Sequence, residues 1–450
     1  MIKAELVKEY EKLESSLINA IGELVAFPSI LEENSKDTPF GEDIDKCLDK
    51  ALEMCQNLGF KVFKDPKGYY GYAETGSGEE MIAVLGHLDV VPAGDLSKWD
   101  SEPFTMIKKD GKIFGRGTQD DKGPTLTAIY AVKALMNLNV KFSKRVRFIF
   151  GTDEENLWRC INRYMEIEEK PSMGFTPDSK FPMIYAEKGL LQFTLEGKGG
   201  GVTLKGGEAY NAVPDKIEYT SVSDEELQNI VKELEKANSK FEVSENKITV
   251  YGKSVHAASG ENGINAIKKL MMAMKSAELK NIGIDFVTSE IGNDPYAEKI
   301  YGVLEDEVSG KLKFNVGKVD IDNEKTKLFI DVRIPVTVSK EEIVKKSKLI
   351  GEKYGMVYEE RDFLRSLYVP LDHFLIKTLR KVYEEETGFD STPISSGGAT
   401  YARSMDNCVA FGAVFPDSEK TEHQPNECLA IKDIERAFTI YGKAIYELAK

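Results

Sequence analysis

Five residues of metal-ligand type lie scattered along the chain: His87, Asp120, Glu155, Asp178 and His423. Their segments, VLGHLDVVP, GRGTQDDKGP, FGTDEEN, GFTPDS and TEHQPNE, each read as the end of a β-strand or the loop just after it. Two imidazoles and three carboxylates suit a pair of divalent first-row cations. Glu154, beside one candidate ligand, is the extra acid that metal-assisted hydrolysis uses as a proton shuttle. The chain has only four histidines, and two of them fall in this set.

Each segment also has an ordinary reading. Residues two apart in an extended segment point the same way, so Asp89 can accept the second ring N–H of His87 and fix its tautomer; the alternative is a strand-end histidine near an unrelated acid. In GRGTQDDKGP an acid placed between two cations can bridge them, whereas an acidic helix start favoured by the macrodipole is the plain alternative. The phosphate-loop pattern GxxxxGK[ST] is absent. Asp153, Glu154 and Glu155 repel one another unless a cation neutralises them, although exposed loop acids are common. Asp178 alone reads as a turn residue and His423 alone as unremarkable. The combination decides. A two-metal site needs this inventory, with one bridging carboxylate and an open position for water.

Apolar runs at Met81–Leu85, Val146–Phe150 and 173–175 read as strands, separated by helical patterns. Residues 3–27 form an amphipathic helix stopped by Phe27-Pro28, and another runs from about Ile44 to Leu58, before Gly59. Gly123-Pro124 opens a third helix, with Leu126, Ile129, Val132 and Leu135 spaced three apart. Alternating strands and helices predict an α/β layer with a mainly parallel sheet and helices on both faces, whose ligands collect at the carboxyl ends of strands. From about residue 189 to 365 the pattern changes to hairpins, KFEVSENKITVYG and KLKFNVGKVDIDNEKTKLFIDVRIP, with capping boxes at Ser223/Glu226 and Ser339/Glu342. That segment reads as an inserted α+β domain. The helix–strand pattern resumes after Pro370, so residues 1–188 and 366–450 must pack together if His423 completes the site.

Composition narrows the classes further. With 450 residues, 41% hydrophobic and 30% charged, the chain is an ordinary globular protein of two to three domains. A net charge of −15 without a basic run argues against nucleic acid. Five cysteines, an odd count with no CxxC pair, point to reduced thiols and a cytoplasmic setting. No apolar stretch is long enough to span a membrane, and the N-terminus lacks a signal peptide's apolar core.

The motifs GHLDVVPAGDLSKWDSEPF, GRGTQDDKGP, FGTDEE, GFTPDSKFPMIYAEKG, DVRIP, GGATYAR and EHQPNE, in this order, resemble the M20 family of co-catalytic metallopeptidases. Within it they are most similar to the bacterial long-chain, PepV-like dipeptidases. The resemblance implies two divalent ions, zinc first and manganese or cobalt as alternatives. It places His87 and Asp178 on one ion, Glu155 and His423 on the other, and Asp120 between them. It implies Glu154 as general base, Asp89 as the group orienting His87, and a cis peptide at Asp120-Asp121. It makes residues 189–365 a lid domain, with His256 reaching the substrate carbonyl oxygen and Asn211, Arg333 and Gly398 binding substrate, Arg333 by a bidentate fork on its carboxylate. His373 matches nothing catalytic and is expected on a helix surface. The implied activity is hydrolysis of short peptides, dipeptides above all, by a monomer. Two alternatives stay open: an N-acyl amino acid deacylase or desuccinylase of the same family, and a non-catalytic binding relative.

Overall fold

A computed structural model describes residues 2–33 and 35–450. Its chain separates into two compact units. One comprises Met1–Tyr185, Tyr368–Ile394 and Thr400–Lys450; the other comprises Ala186–Leu367 and Ser395–Ala399.

The first unit is built on a mixed sheet. Its strands run in the order Lys61–Lys64, Gly71–Gly76, Arg145–Gly151, Met81–His87, Met173–Thr176 and Cys408–Ala410, followed by Ile184–Glu187 and Leu367–Tyr368. The centre is parallel: Met81–His87 pairs in parallel with Arg145–Gly151 and with Met173–Thr176, and Cys408–Ala410 does so with Met173–Thr176. Gly71–Gly76 and Lys61–Lys64 add antiparallel strands at one side. Met81–His87 is buried along its whole length, which is why it reads as a continuous apolar run rather than an alternating one.

Register then does the positioning. His87 lies opposite Gly151 and Val84 opposite Phe175, so the residues just past each strand emerge at one sheet edge. Glu154, Glu155 and Asp178 are among them. The helices Ile2–Val25, Lys122–Asn137 and Ile431–Ala449 pack on one another, and Leu126, Ile129, Val132 and Leu135 are all buried, as their spacing predicts. Lys122 is also fully buried. Its ammonium donates to the carbonyls of Leu24 (2.9 Å) and Phe27 (3.0 Å), binding the end of the first helix to the start of the third.

The second unit is α+β. A five-stranded antiparallel sheet runs Leu204–Gly206, Lys313–Ile321, Lys325–Ile334, Gly189–Lys198 and Met356–Leu364, and a three-stranded one holds the hairpin Lys240–Ser244/Lys247–Tyr251 beside Lys216–Thr220. Leu191, Phe193, Ile330 and Val332 meet Leu270, Met271 and Met274 of the helix Ala266–Ser276 in its core. Both capping boxes form by half. Ser223 and Ser339 accept from the amides of Glu226 and Glu342. The reciprocal carboxylates turn elsewhere: Glu226 to Tyr219 and Ser221, Glu342 to Lys346 one turn on. Among the described residues no helix is long and apolar enough to cross a membrane.

Two central strands approach closely at Gly174, where an added Cβ would lie 2.4 Å from the Ala83 carbonyl oxygen. Gly174→Ala is therefore expected to destabilise the fold by about 1–3 kcal/mol, as overpacking does. Equilibrium chemical denaturation checks it; an unchanged midpoint would refute this account of the sheet centre.

Candidate active site

His87 ends its strand fully buried. Its Nδ1 lies 2.9 Å from the carbonyl oxygen of Asp89, which can only accept, so Nδ1 carries the proton. The Nε2 lone pair then faces Asp120 Oδ1 at 2.9 Å and Asp178 Oδ2 at 3.6 Å. Three electron-rich atoms converge there. Such an arrangement holds only if a proton or a shared cation sits among them.

Asp120 precedes the helix Lys122–Asn137, in a loop whose Asp120-Asp121 peptide is cis, as the family resemblance implies. Its second oxygen, Oδ2, is 3.1 Å from His423 Nε2, and the same nitrogen is 3.0 Å from Glu155 Oε1. His423 adopts a left-handed backbone, φ 60°, which is uncommon outside glycine and concentrates at functional positions. The donor atoms of His87, Asp120 and Glu155 lie within 4.8 Å of one another, as do those of His87, Glu154 and Asp178. All five expected ligands, together with Glu154, are thus brought into one cluster. The donor set of imidazole nitrogen and carboxylate oxygen fits divalent first-row ions.

Electrostatics in the bare protein point the same way. Burial pushes Glu154 and Asp121 well above the usual carboxylate range, and neighbouring carboxylates add to this. Glu155 and Asp178 are raised for the same first reason. At His87 burial pulls downward, but the carboxylates of Asp120, Asp178 and Asp89 around the ring outweigh it and hold the imidazole pKa well above normal. His423 is pushed up to about 10 by Asp120 and Glu155. Bound cations would reverse these shifts.

The three consecutive acids divide their work. Asp153 is forked by Arg159, at 2.7 and 2.9 Å, and Glu155 meets His423. Asp89 differs from the sequence reading. Its carboxylate is 3.6 Å from His87 Nδ1 and instead accepts from the amides of Glu154 (3.1 Å) and Glu155 (3.0 Å), while its main-chain oxygen accepts the hydrogen bond from Nδ1–H. An acid accepts better from two fixed amides than from a ring already served by a carbonyl. Behind the cluster, Asp121 Oδ2 accepts from the His87 amide and from Thr125 Oγ1. A Cβ at Gly86 would fall 1.9 Å from that Oγ1, so only glycine lets the helix approach here.

Residues expected to bind substrate gather in the second unit. Ala212 bridges His256, and the Ala257 amide donates to the Asn211 carbonyl. His256 is exposed, and its Nδ1 accepts from the Ala258 amide at 3.2 Å, which leaves Nε2 as the N–H. A Cβ at Gly397 would touch Ala258, so the loop carrying Gly398 packs on the same turn. Arg333 is buried there with its Nε and Nη2 on Asp331 (2.7 and 3.1 Å) and Nη1 on the Gly397 carbonyl. The bidentate edge expected for a substrate carboxylate is therefore occupied by Asp331. His373 stands apart as the N-cap of the helix Phe374–Thr387.

Residues 83–447 match the model of Peptidase family M20/M25/M40. The chain belongs to the M20 peptidase family. It is 37% identical to the Bacillus subtilis protein named "Putative dipeptidase YtjP", over all of this chain and 99% of that one. Among solved structures, the aminoacylhistidine dipeptidase of Vibrio alginolyticus superposes with a TM-score of 0.62 at 12% identity, covering 96% of each chain. The dipeptidase Dug1p of Saccharomyces cerevisiae gives 0.60 at 13%, covering 99% of this chain and 98% of its own. These two likenesses establish the shared fold. As an M20 member the protein is a metallopeptidase acting on peptide bonds.

Sequence reading passed over Gln119 and Glu427, both buried against this M20 cluster. Their only signal was position, one preceding Asp120 and the other closing EHQPNE.

Removing divalent ions with a chelator is expected to lower the thermal unfolding midpoint, and Zn²⁺ or Mn²⁺ to restore it. At 100 times Kd the linkage amounts to about 2.7 kcal/mol. Differential scanning calorimetry with and without chelator is the check; a midpoint indifferent to both would remove the case for a metal centre.

Proposed function

We propose that this M20 peptidase hydrolyses dipeptides with a free C-terminal carboxylate, using two divalent ions and Glu154 as general base. The observation that carries the reading is Asp120, with one oxygen 2.9 Å from His87 Nε2 and the other 3.1 Å from His423 Nε2. An acid so placed is built to bridge two cations. His87 and Asp178 would hold one, Glu155 and His423 the other, with Zn²⁺ the first choice and Mn²⁺ or Co²⁺ also suited to this donor set.

When bound, such ions acidify a shared water and polarise the peptide carbonyl. The protein's own residues do the rest. With Asp153 tied to Arg159 and Glu155 to His423, the role of base falls to Glu154, which takes the water's proton and returns one to the departing amine. Asp89 aims the Glu154–Glu155 pair through their amides and locks the His87 tautomer through its carbonyl. His256 offers Nε2–H to the carbonyl oxygen as negative charge develops on it. Arg333 meets the peptide's carboxylate with the edge that Asp331 leaves, while Asn211 and the Gly398 loop frame the same end. The full-length likeness to the Bacillus protein supports the choice of dipeptides.

Glu154→Ala is expected to lower kcat by about 10²–10⁴-fold with both ions retained, as measured by steady-state kinetics and metal analysis on one preparation. Parallel loss of metal would remove Glu154 from the role of base. His256→Ala should cut kcat by about 10²–10³-fold, the scale of a lost oxyanion donor, with a much smaller change in KM. A panel of free dipeptides against N-acylated amino acids tests the substrate class. Faster turnover of the acylated compounds would overturn the dipeptidase reading.

A further inference from the structure

Two buried side chains that are not candidate ligands join the Asp120 loop to the His423 loop, each by several hydrogen bonds. Glu427 is fully buried. Its Oε1 accepts from the amides of Gly117 (3.1 Å), Gln119 (2.8 Å) and Asp120 (3.1 Å), and its Oε2 from Arg116 Nη1 at 2.7 Å. Gln119 reaches back the other way. Its Oε1 accepts from the amides of Thr421 (2.7 Å) and Glu422 (3.0 Å) and from Thr421 Oγ1 (3.2 Å), while Nε2 donates to the carbonyls of Glu419 (2.9 Å) and Cys428 (3.2 Å). The clasp is reciprocal: a side chain from each loop fastens the main chain of the other.

Resting on the two-ion reading above, we infer that Gln119, together with Glu427, is a positioning device that sets the distance between Asp120 and His423 and so determines how tightly the second ion is held. The geometry argues for this in three ways. Gln119 is the residue before Asp120, and Thr421 and Glu422, whose amides it holds, directly precede His423. The two ligand atoms it spaces, Asp120 Oδ2 and His423 Nε2, are 3.1 Å apart. No other uncharged side chain of this length both donates and accepts, so a carboxylate or a thioether at 119 must leave part of the set unpaired.

His87 ends one strand and Asp178 follows another, both outside the clasp, so losing it should act unequally on the two ions. Outer-sphere partners of metal ligands typically contribute 10–100-fold in affinity. The nearly isosteric Q119M is the main variant. Metal-free protein is titrated with Co²⁺, followed by its visible d–d absorption, and with Zn²⁺ by calorimetry. The expected result is one ion bound as in the wild type and the other about 10–100-fold more weakly, with an altered cobalt band for that ion. Activity should return at high metal concentration, a rescue that general damage to the fold would not allow. The metal-free unfolding midpoint is measured alongside. If Q119M does not fold, Q119E, which keeps an acceptor but loses both donors, is titrated in its place with the same expectation. Wild-type affinity for both ions in the folded variant, beside a two-ion wild type, would overturn the clasp and leave the dipeptidase reading standing. A wild type that binds fewer than two ions would overturn both.

Discussion

Like charges crowded at the carboxyl ends of parallel strands are the constraint on which the rest of this molecule depends. Asp120, Asp121, Glu154, Glu155 and Asp178 crowd around a fully buried His87. Two unit charges 4 Å apart repel by about 4 kcal/mol at an effective dielectric of 20. The conflict shows in the electrostatics: burial raises the Glu154 carboxyl, and the surrounding carboxylates raise both imidazoles. Divalent cations would resolve it without protons, and the cluster's donor set could hold them.

Holding such a cluster requires a scaffold that does not use up the ligands' own oxygens. The structure meets this with a second group of buried acids that act on main chain. Asp89 takes the amides of Glu154 and Glu155, Glu427 those of Gly117, Gln119 and Asp120, and Asp121 that of His87. Each ligand loop is thereby pinned through its backbone while its side chain stays available. Of these supporting acids, Glu427 finds a counter-ion in Arg116, and the neighbouring Asp153 finds one in Arg159. The ligands find theirs in one another's imidazoles.

Much of this was legible beforehand, and the limits have physical causes. The central strands showed as apolar runs because both of their faces are covered, and the candidate ligands stood out because imidazoles are scarce and acids at strand ends have few structural reasons to cluster. The half-formed capping boxes were not legible, since the spacing of serine and glutamate says nothing about Tyr219 or Lys346 competing for the carboxylate. Nor was the Asp331 fork on Arg333. Two residues apart on a strand, the pair shares a face, yet the motif DVRIP reads equally well with the arginine free. Gln119 and Glu427 were hidden for a different reason. A buried glutamine or glutamate has no periodic signature, and its partners lie some 300 residues away along the chain.

The histidines show how far main chain, rather than side-chain identity, decides chemical role. At His87 a carbonyl oxygen accepts from Nδ1–H, so Nε2 is the nitrogen aimed at the acids, the one whose lone pair a cation would use. At His256 an amide N–H donates to Nδ1, so Nε2 keeps its proton and the ring is a hydrogen-bond donor, the form an oxyanion needs. One ring offers an electron pair and the other a proton, and each is set by a single backbone contact. His373 repeats the His256 contact through the Leu375 amide and merely caps a helix. Tautomer is therefore necessary but not sufficient. What separates His256 from His373 is its company: the Asn211–Ala212 turn, the Gly397–Gly398 loop and the Asp331–Arg333 pair all meet at its turn.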